Sequence, residues 1–172
     1  RLTDRVTDLL HSLIPYFGCV IQKTAEGLQL TGADRHFMNA AAITPRTFQA
    51  PFTVRAVAKT DSTNLRLYWH LGEIILNWEC SVRELRVHDP RTREQHGLEG
   101  AGFITTNEWH EVVWEITKHA MQLVVDGTTR YAGAGDYSAI DAPVGIGPCF
   151  GSTVTVREFT VTPGLDGATD TN

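Results

Sequence analysis

His110 and Glu111, in the stretch NEWHEVVWEI (107–116), have the types and order that open a zinc-protease signature. That chemistry needs His-Glu-x-x-His on a helix, so that two imidazoles four residues apart reach one ion while the Glu activates water. Here the second histidine position is taken by Trp114, and the next histidine is His119, nine residues along. On a helix that is about two and a half turns, which points the two imidazoles to opposite sides. The metal reading fails, and His110 reads instead as a residue at the start of a strand.

A second concentration of chemistry lies in YWHLGEIILNWE (68–79), with two Trp, a Tyr, a His and two Glu in twelve residues. A His and a Glu on one polar face can serve as base and acid, which makes Glu79 and His70 the catalytic candidates if the protein is an enzyme. The same pair fits a hydrogen-bonded structural contact equally well. Glycoside hydrolysis usually needs two suitably spaced carboxyl groups. Glu79 with Glu84, Asp89 or Glu115 would form such a pair, but spacing along the chain does not place them. The polar run HDPRTREQHGLEGAG (88–102) adds His88, Asp89, His96 and Glu99 without a diagnostic metal spacing. It reads as a solvated loop, and neither metal nor cofactor is expected.

These side chains need a scaffold that aims them, and the apolar periodicity describes one. PFTVRAVAKT (51–60) alternates Phe52, Val54, Ala56 and Ala58 against Thr53, Arg55, Val57 and Lys59. NLRLYWH sets Leu65, Leu67 and Trp69 against Arg66, Tyr68 and His70; EIILNWE sets Ile74, Leu76 and Trp78 against Ile75, Asn77 and Glu79. ELRVHD sets Leu85 and Val87 against Glu84, Arg86 and His88. Period two at short intervals, with Gly, Pro, Asp and Asn between the runs, is the pattern of an antiparallel β-sandwich. WHEVVWEIT and MQLVVDG form a hairpin on which Val112, Trp114 and Ile116 meet Leu123 and Val125, with Trp109 plugging the core's edge. Near Glu158 the alternation of the last strand slips, which marks a bulge.

Only the first segment reads as helix. In RLTDRVTDLLHSLI the residues Leu2, Val6, Leu9, Leu10 and Leu13 make a stripe at helical period, closed by Pro15 and Gly18. A helix this short and apolar must dock, either on its own domain, the favoured reading, or on another chain; it also fits a connector from an upstream domain. The expected organisation is a helix or connector over 1–18, a sandwich over 19–163, and a flexible tail over 164–172.

Bulk composition narrows the function classes. A chain of 172 residues with 42 % apolar and 20 % charged side chains suits one folded domain. A net charge of −5 without a Lys/Arg cluster argues against nucleic acid, and no apolar run is long enough for a membrane helix. Cys19, Cys80 and Cys149 are odd in number and lack a C-x-x-C pair, so they read as reduced thiols, as in the cytoplasm.

Three features carry a resemblance to a known superfamily. NEWHEVVWEI with MQLVVDGTTRY is similar to the W-H, apolar-strand, V-D-G hairpin of laminin-G-like and concanavalin A-like domains. VGIGPCFGSTVTVREFTV looks like their closing pair, a glycine-rich strand followed by V-x-V-R-x-F-x-V. The third is a strand containing GLQLTG followed by the long strand PFTVRAVAKT. The resemblance spans about residues 20–163 and implies a jelly roll of two curved antiparallel sheets, whose members commonly bind or cleave carbohydrate on the concave sheet or its rim. No E-x-D-x-E run of the glucanase branch, no legume-lectin calcium loop and no alginate-lyase motif is present, so those branches' catalytic residues do not carry over.

With the apolar registers assigned to the core, the opposite faces hold Arg55, Arg66, Tyr68, His70, Asn77, Glu79, Arg86 and His88. Tyr can stack on a pyranose while Arg, Asn and Glu bond its hydroxyls, so these eight are the candidate ligand-binding residues. The alternative is a plain solvated face with cross-strand ion pairs such as Arg86 with Glu79. The leading expectation is a lectin-like carbohydrate-binding module that recognises a glycan on the concave sheet. A glycoside hydrolase or polysaccharide lyase of the same fold, and a structural or protein-interaction domain, are the alternatives.

Overall fold

Alternation of apolar and polar residues becomes β-structure almost throughout the described chain. The structure is a computed structural model and describes residues 6–33, 40–70, 72–90, 92 and 94–164. The elements in chain order are β1 (Thr7–Asp8), a 3-10 turn (Leu10–Ser12), β2 (Ile14–Tyr16), β3 (Cys19–Thr24), β4 (Gly27–Gly32) and β5 (Ala41–Ile43). Then come β6 (Phe48–Gln49), β7 (Phe52–Thr60), β8 (Leu65–Trp69), β9 (Gly72–Leu76), β10 (Leu85–His88) and β11 (Gln95–Leu98). The last are β12 (His110–Ile116), β13 (Ala120–Val125), β14 (Thr128–Ala134), β15 (Asp141–Ala142), β16 (Val144–Gly147) and β17 (Val154–Pro163).

Two antiparallel sheets form the sandwich. The first runs β14-β13-β12-β7-β17-β4-β3, with β1 also on β17; the second runs β11-β10-β9-β8-β16-β5-β2. Strands β15 and β6 make a small separate ribbon. The expected core registers hold: Phe52, Val54, Ala56 and Ala58 face Leu65, Leu67 and Trp69 across a buried interior. Trp69 and Trp114, one from each sheet, meet at 4.5 Å between ring centroids, and Phe52 lies edge-on to Trp114 at 6.4 Å. On the β12–β13 hairpin Val112 stands opposite Val125, Trp114 opposite Leu123 and Ile116 opposite Met121. A register shift between Val156 and Glu158 is the bulge expected there.

The N-terminal helix is a correction. Among the described residues the segment is β1, one 3-10 turn and β2, while Leu2 of the expected stripe lies outside them. Leu9, Leu10 and Leu13 are nevertheless buried in the sandwich core. The leucines thus dock on their own domain, but from extended and tightly turned backbone. Thr7 and Asp8 pair with Val161 and Thr160 of β17, and the Leu9 amide donates to the Phe159 carbonyl at 2.9 Å. A sheet that offers backbone partners satisfies a short segment better than an isolated helix of a dozen residues can.

Two tryptophans also depart from expectation. Trp109 does not plug the core. It lies half-buried under Lys59 and Arg157, whose charged groups sit 4.7 and 4.5 Å from its ring centre. Trp78 leaves the core register because Asn77 has φ +53°, which breaks the alternation after Leu76. Trp78 is half-buried, with the Arg86 guanidinium over its ring at 4.4 Å.

Candidate functional site

The outward face of the second sheet gathers most of the polar candidates, and the strand registers arrange them in two rows. One row crosses the sheet through Gln95, His88, Glu73, Tyr68, Gly145, Ile43 and Ile14. The next runs through Gly97, Arg86, Ile75, Arg66 and Gly147. The two glycines of β16 leave the middle of this face without side chains. A Cβ on Gly147 would stand 2.2 Å from the Ala40 carbonyl oxygen, and one on Gly145 would stand 2.7 Å from that of Ala42.

Arg66 organises the polar centre. Its side chain is only 3 % exposed, although it stands on an outward face. Nε donates to Asn64 Oδ1 at 2.9 Å, Nη1 to Glu73 Oε1 at 3.0 Å and Nη2 to Glu79 Oε1 at 3.2 Å. Burial opposes its charge, but the neighbouring Glu73 carboxylate leads the contributions that hold its pKa above the ordinary arginine value. Glu73 completes its pairing with His88 Nδ1 at 3.2 Å from Oε2. Burial pushes the Glu73 carboxyl up, and the hydrogen bond from His88 together with Arg66 more than reverses this, so it stays below the usual range. Glu73 is therefore an ionised, clamped acceptor at neutral pH.

At the far ends of β9 and β10 lies an aromatic platform. Arg86 stacks on Trp78 while its Nη1 donates to Glu84 Oε2 at 2.6 Å and its Nη2 to Gln95 Oε1. The guanidinium is fixed on three sides, so the indole it covers is fixed with it.

Toward the β8–β9 turn the same face opens into a cavity of about 350 Å3, lined in part by Tyr16, Phe17, Ile43, Tyr68, Trp69, Glu73 and Pro143. Tyr68 is among the lining residues, but its hydroxyl is buried out of solvent's reach, on the side of the Arg66 guanidinium. Burial, and then the Glu73 charge, push its pKa far above that of an ordinary phenol, so it keeps its proton.

The expected constellation is thus brought together in part. Arg66, Tyr68, Glu79, Arg86 and His88 share the outward face or its margin. Arg55 does not join them: it sits on β7 in the first sheet and pairs with Glu111 at 2.7 Å and Glu158 at 2.6 Å. Asn77 is buried and structural, donating to the carbonyls of Ser62 and Ile104 and accepting from the Ile104 amide at 2.8 Å. His70 is exposed at the tip of the β8–β9 hairpin with φ +43°. Tyr68 and His70 share the outward register with Asn77 and Glu79 in the sequence, but they do not meet them across the β8–β9 hairpin: Tyr68 stands opposite Glu73 and Trp69 opposite Gly72.

His70 and Glu79 lie beyond opposite ends of β9, a five-residue strand and so about 17 Å long. They make no acid–base pair. The expected ion pair of Arg86 is with Glu84 instead of Glu79. Glu115 lies on the first sheet, away from Glu79. Among the described residues no cluster of three or more His, Cys, Asp or Glu side chains could hold a metal. His110 is tied to Asp126 at 2.6 Å and to the Thr105 carbonyl at 2.8 Å, a structural joint at the end of its hairpin. Glu73, Gln95 and Trp78 were missed by periodicity. A turn read as His70-Leu71 would have put Glu73 beside Tyr68, because hairpin register follows from turn length.

No protein-family model matches the chain, and no curated protein does. Solved structures do match. A Bacillus subtilis protein of unknown function with a galectin-like fold superposes with a TM-score of 0.71 at 11 % identity, covering 89 % of this chain and 90 % of that one. The fold is the concanavalin A-like jelly roll. Crh5 transglycosylase in complex with NAG matches with a TM-score of 0.62 at 12 % identity, over 93 % of this chain and 84 % of the other. The carbohydrate binding module CBM66 from Bacillus subtilis matches with a TM-score of 0.54 at 11 % identity, over 91 % and 94 %. Identities this low establish a shared fold and leave the ligand to be argued from the site.

Proposed function

We propose that this domain is a carbohydrate-binding module whose ligand lies on the outward face of the second sheet. The observation that carries the reading is Trp78, held half-exposed under Arg86 beside the Arg66–Glu73–Glu79 network. A sugar presents an apolar ring face and a rim of hydroxyls, and it is recognised by a fixed aromatic surface bordered by charged hydrogen-bonding groups. Trp78 supplies the first; Arg86, Glu84, Gln95, Glu79 and His88 supply the second. Their mutual bonds hold these side chains in place before a ligand arrives, which reduces the entropy lost on binding. The neighbouring structures that are a carbohydrate binding module and a transglycosylase in complex with NAG support the same ligand class. Binding without turnover is favoured because Arg66 and His88 engage both Glu73 oxygens.

Titration calorimetry against a panel of neutral mono- and oligosaccharides tests this. At least one saccharide should bind, and Trp78→Ala should weaken it tenfold or more while Arg55→Ala leaves it unchanged. Absence of binding across the panel, or affinity indifferent to Trp78→Ala, would refute the reading.

A further inference from the structure

The outward face of the second sheet carries aromatic surface toward both of its edges. On one side is Trp78 with Arg86 stacked on it. On the other, Tyr16 closes β2, the last strand of the sheet, and Phe17 follows it in the turn to β3. Tyr16 stands opposite Ala41, two residues before Ile43, and Ile43 stands opposite Gly145, the partner of Tyr68. Paired residues share a face and alternate residues return to it, so Tyr16 points to the same side of the sheet as Tyr68 and Arg66. Tyr16 and Phe17 pack edge to face at 4.6 Å, yet they remain 48 % and 52 % exposed. Phe17 has φ +48° and the next residue, Gly18, φ +70°, so the phenylalanine occupies a turn position that suits Gly or Asn. A bulky ring in strained backbone that stays half in water gains little for the fold, and such strain collects where a ligand is held. Both rings line the cavity of about 350 Å3, whose polar margin is His70, Glu73 and Asp141.

We propose that the sugar ligand is an extended oligosaccharide that crosses the strands, with one ring beside Trp78 and a later ring of the same chain in the cavity against Tyr16 and Phe17. The proposal rests on the sugar-binding reading above and adds the ligand's length and its second point of attachment. Between the two aromatic margins the face lies low, because β16 contributes only Gly145 and Gly147 to it. From β9, which leads into Trp78, to β2 the strand order β9-β8-β16-β5-β2 counts four steps, about 19 Å at the usual strand spacing. A mono- or disaccharide is too short to touch both margins. A longer chain reaches both, and its second contact is then intramolecular, so affinity rises without any stronger single contact. A pyranose offers the aromatic pair an apolar ring face and the polar margin its hydroxyls, which matches the mixed lining of the cavity. The volume is near the lower bound of ligand pockets, about 300 Å3, and so suits one ring of the chain.

Calorimetry on the intact chain tests this with cello-, xylo-, manno- and arabino-oligosaccharides, each as the dimer, tetramer and hexamer. In a series that binds, affinity should rise about tenfold or more from the shortest oligomer with measurable binding to the hexamer. Phe17→Asn, which suits the positive φ, and Tyr16→Ala should each remove most of that gain and leave the shortest oligomer within about twofold of its wild-type affinity. Trp78→Ala should weaken every length. The two aromatic variants are independent, so either one that keeps the wild-type unfolding midpoint decides the matter. A hexamer that binds no more tightly than shorter oligomers, a gain with length that both variants leave intact, or losses equal at every length overturns the extended-chain assignment and leaves the sugar-binding reading standing. Absence of binding in every series overturns both.

Discussion

Replacing Arg66 with methionine removes a cation that two carboxylates, Glu73 and Glu79, share on the sheet's outward face. The change keeps most of the side chain's length and apolar stem. It deletes the bonds to Asn64, Glu73 and Glu79 at 2.9, 3.0 and 3.2 Å. Glu73 is 14 % exposed and Glu79 23 % exposed, so neither is rehydrated without rearrangement. Breaking one side of a buried pair costs about 3–5 kcal/mol, because a charge is left in a poorly solvated place. His88 still bonds Glu73 Oε2, which puts the expected loss near the lower bound, about 3 kcal/mol at pH 7. The pH dependence gives the argument its sign. In the wild type the Glu73 pKa is lowered by folding. Its pairing thus stabilises above the unfolded carboxyl value, near 4.3, and that contribution is lost as pH falls through the folded value. Without Arg66 only His88 opposes the burial of Glu73, so the folded pKa moves up and less stability is lost as pH falls. The gap between wild type and variant should therefore narrow from pH 7 toward pH 4. Urea unfolding at several pH values measures it, with equal m-values confirming that the comparison is between like transitions. A loss below about 1 kcal/mol at pH 7, or a gap that does not change with pH, would refute this account of the network.

Two further outcomes follow from burial. Leu9→Ala should cost about 2–5 kcal/mol, measured by thermal or urea unfolding, because Leu9 is buried in the sandwich core. A loss under about 0.5 kcal/mol would mean that the segment is not docked as described. Among the cysteines, exposed Cys80 should react with a thiol reagent in the native protein, whereas Cys19 and Cys149 should wait for unfolding. Burial pushes the Cys19 thiol up to about 11, which withholds the reactive thiolate at neutral pH. Fast native labelling of all three would contradict this.

Much of the sandwich was legible in local pattern. Alternation over Phe52–Ala58, Leu65–Trp69 and Val112–Ile116 assigned the inward face correctly, because a strand's side chains alternate faces whatever it packs against. The same rule misassigned Trp78, since a single residue at positive φ, Asn77, ends the alternation before it reaches the tryptophan. The leucine stripe failed for a different reason. Spacings of three and four mark a segment that buries one side, but here the stretch of β17 beyond its pairing with β4 supplies backbone partners that turn the same leucines inward without a helix.

The candidate site divides along the same line. Local chemistry determined which side chains were available: the concentration of Trp, Tyr, His and Glu over 68–79, the arginines of β8 and β10, and the apolar registers that keep them outward. Tertiary structure decided which of them meet. The length of the β8–β9 turn set Glu73, not Glu79, opposite Tyr68, because each residue of turn shifts every cross-strand pair. Sheet membership separated Arg55 from Arg66, although both alternate against apolar neighbours in the same way. The cavity beside Tyr68 draws on Tyr16, Ile43 and Pro143, residues far apart in the chain that only the strand order β8-β16-β5-β2 brings together. Local periodicity carries the direction of a side chain; its neighbours come from long-range pairing, which short-range pattern does not encode.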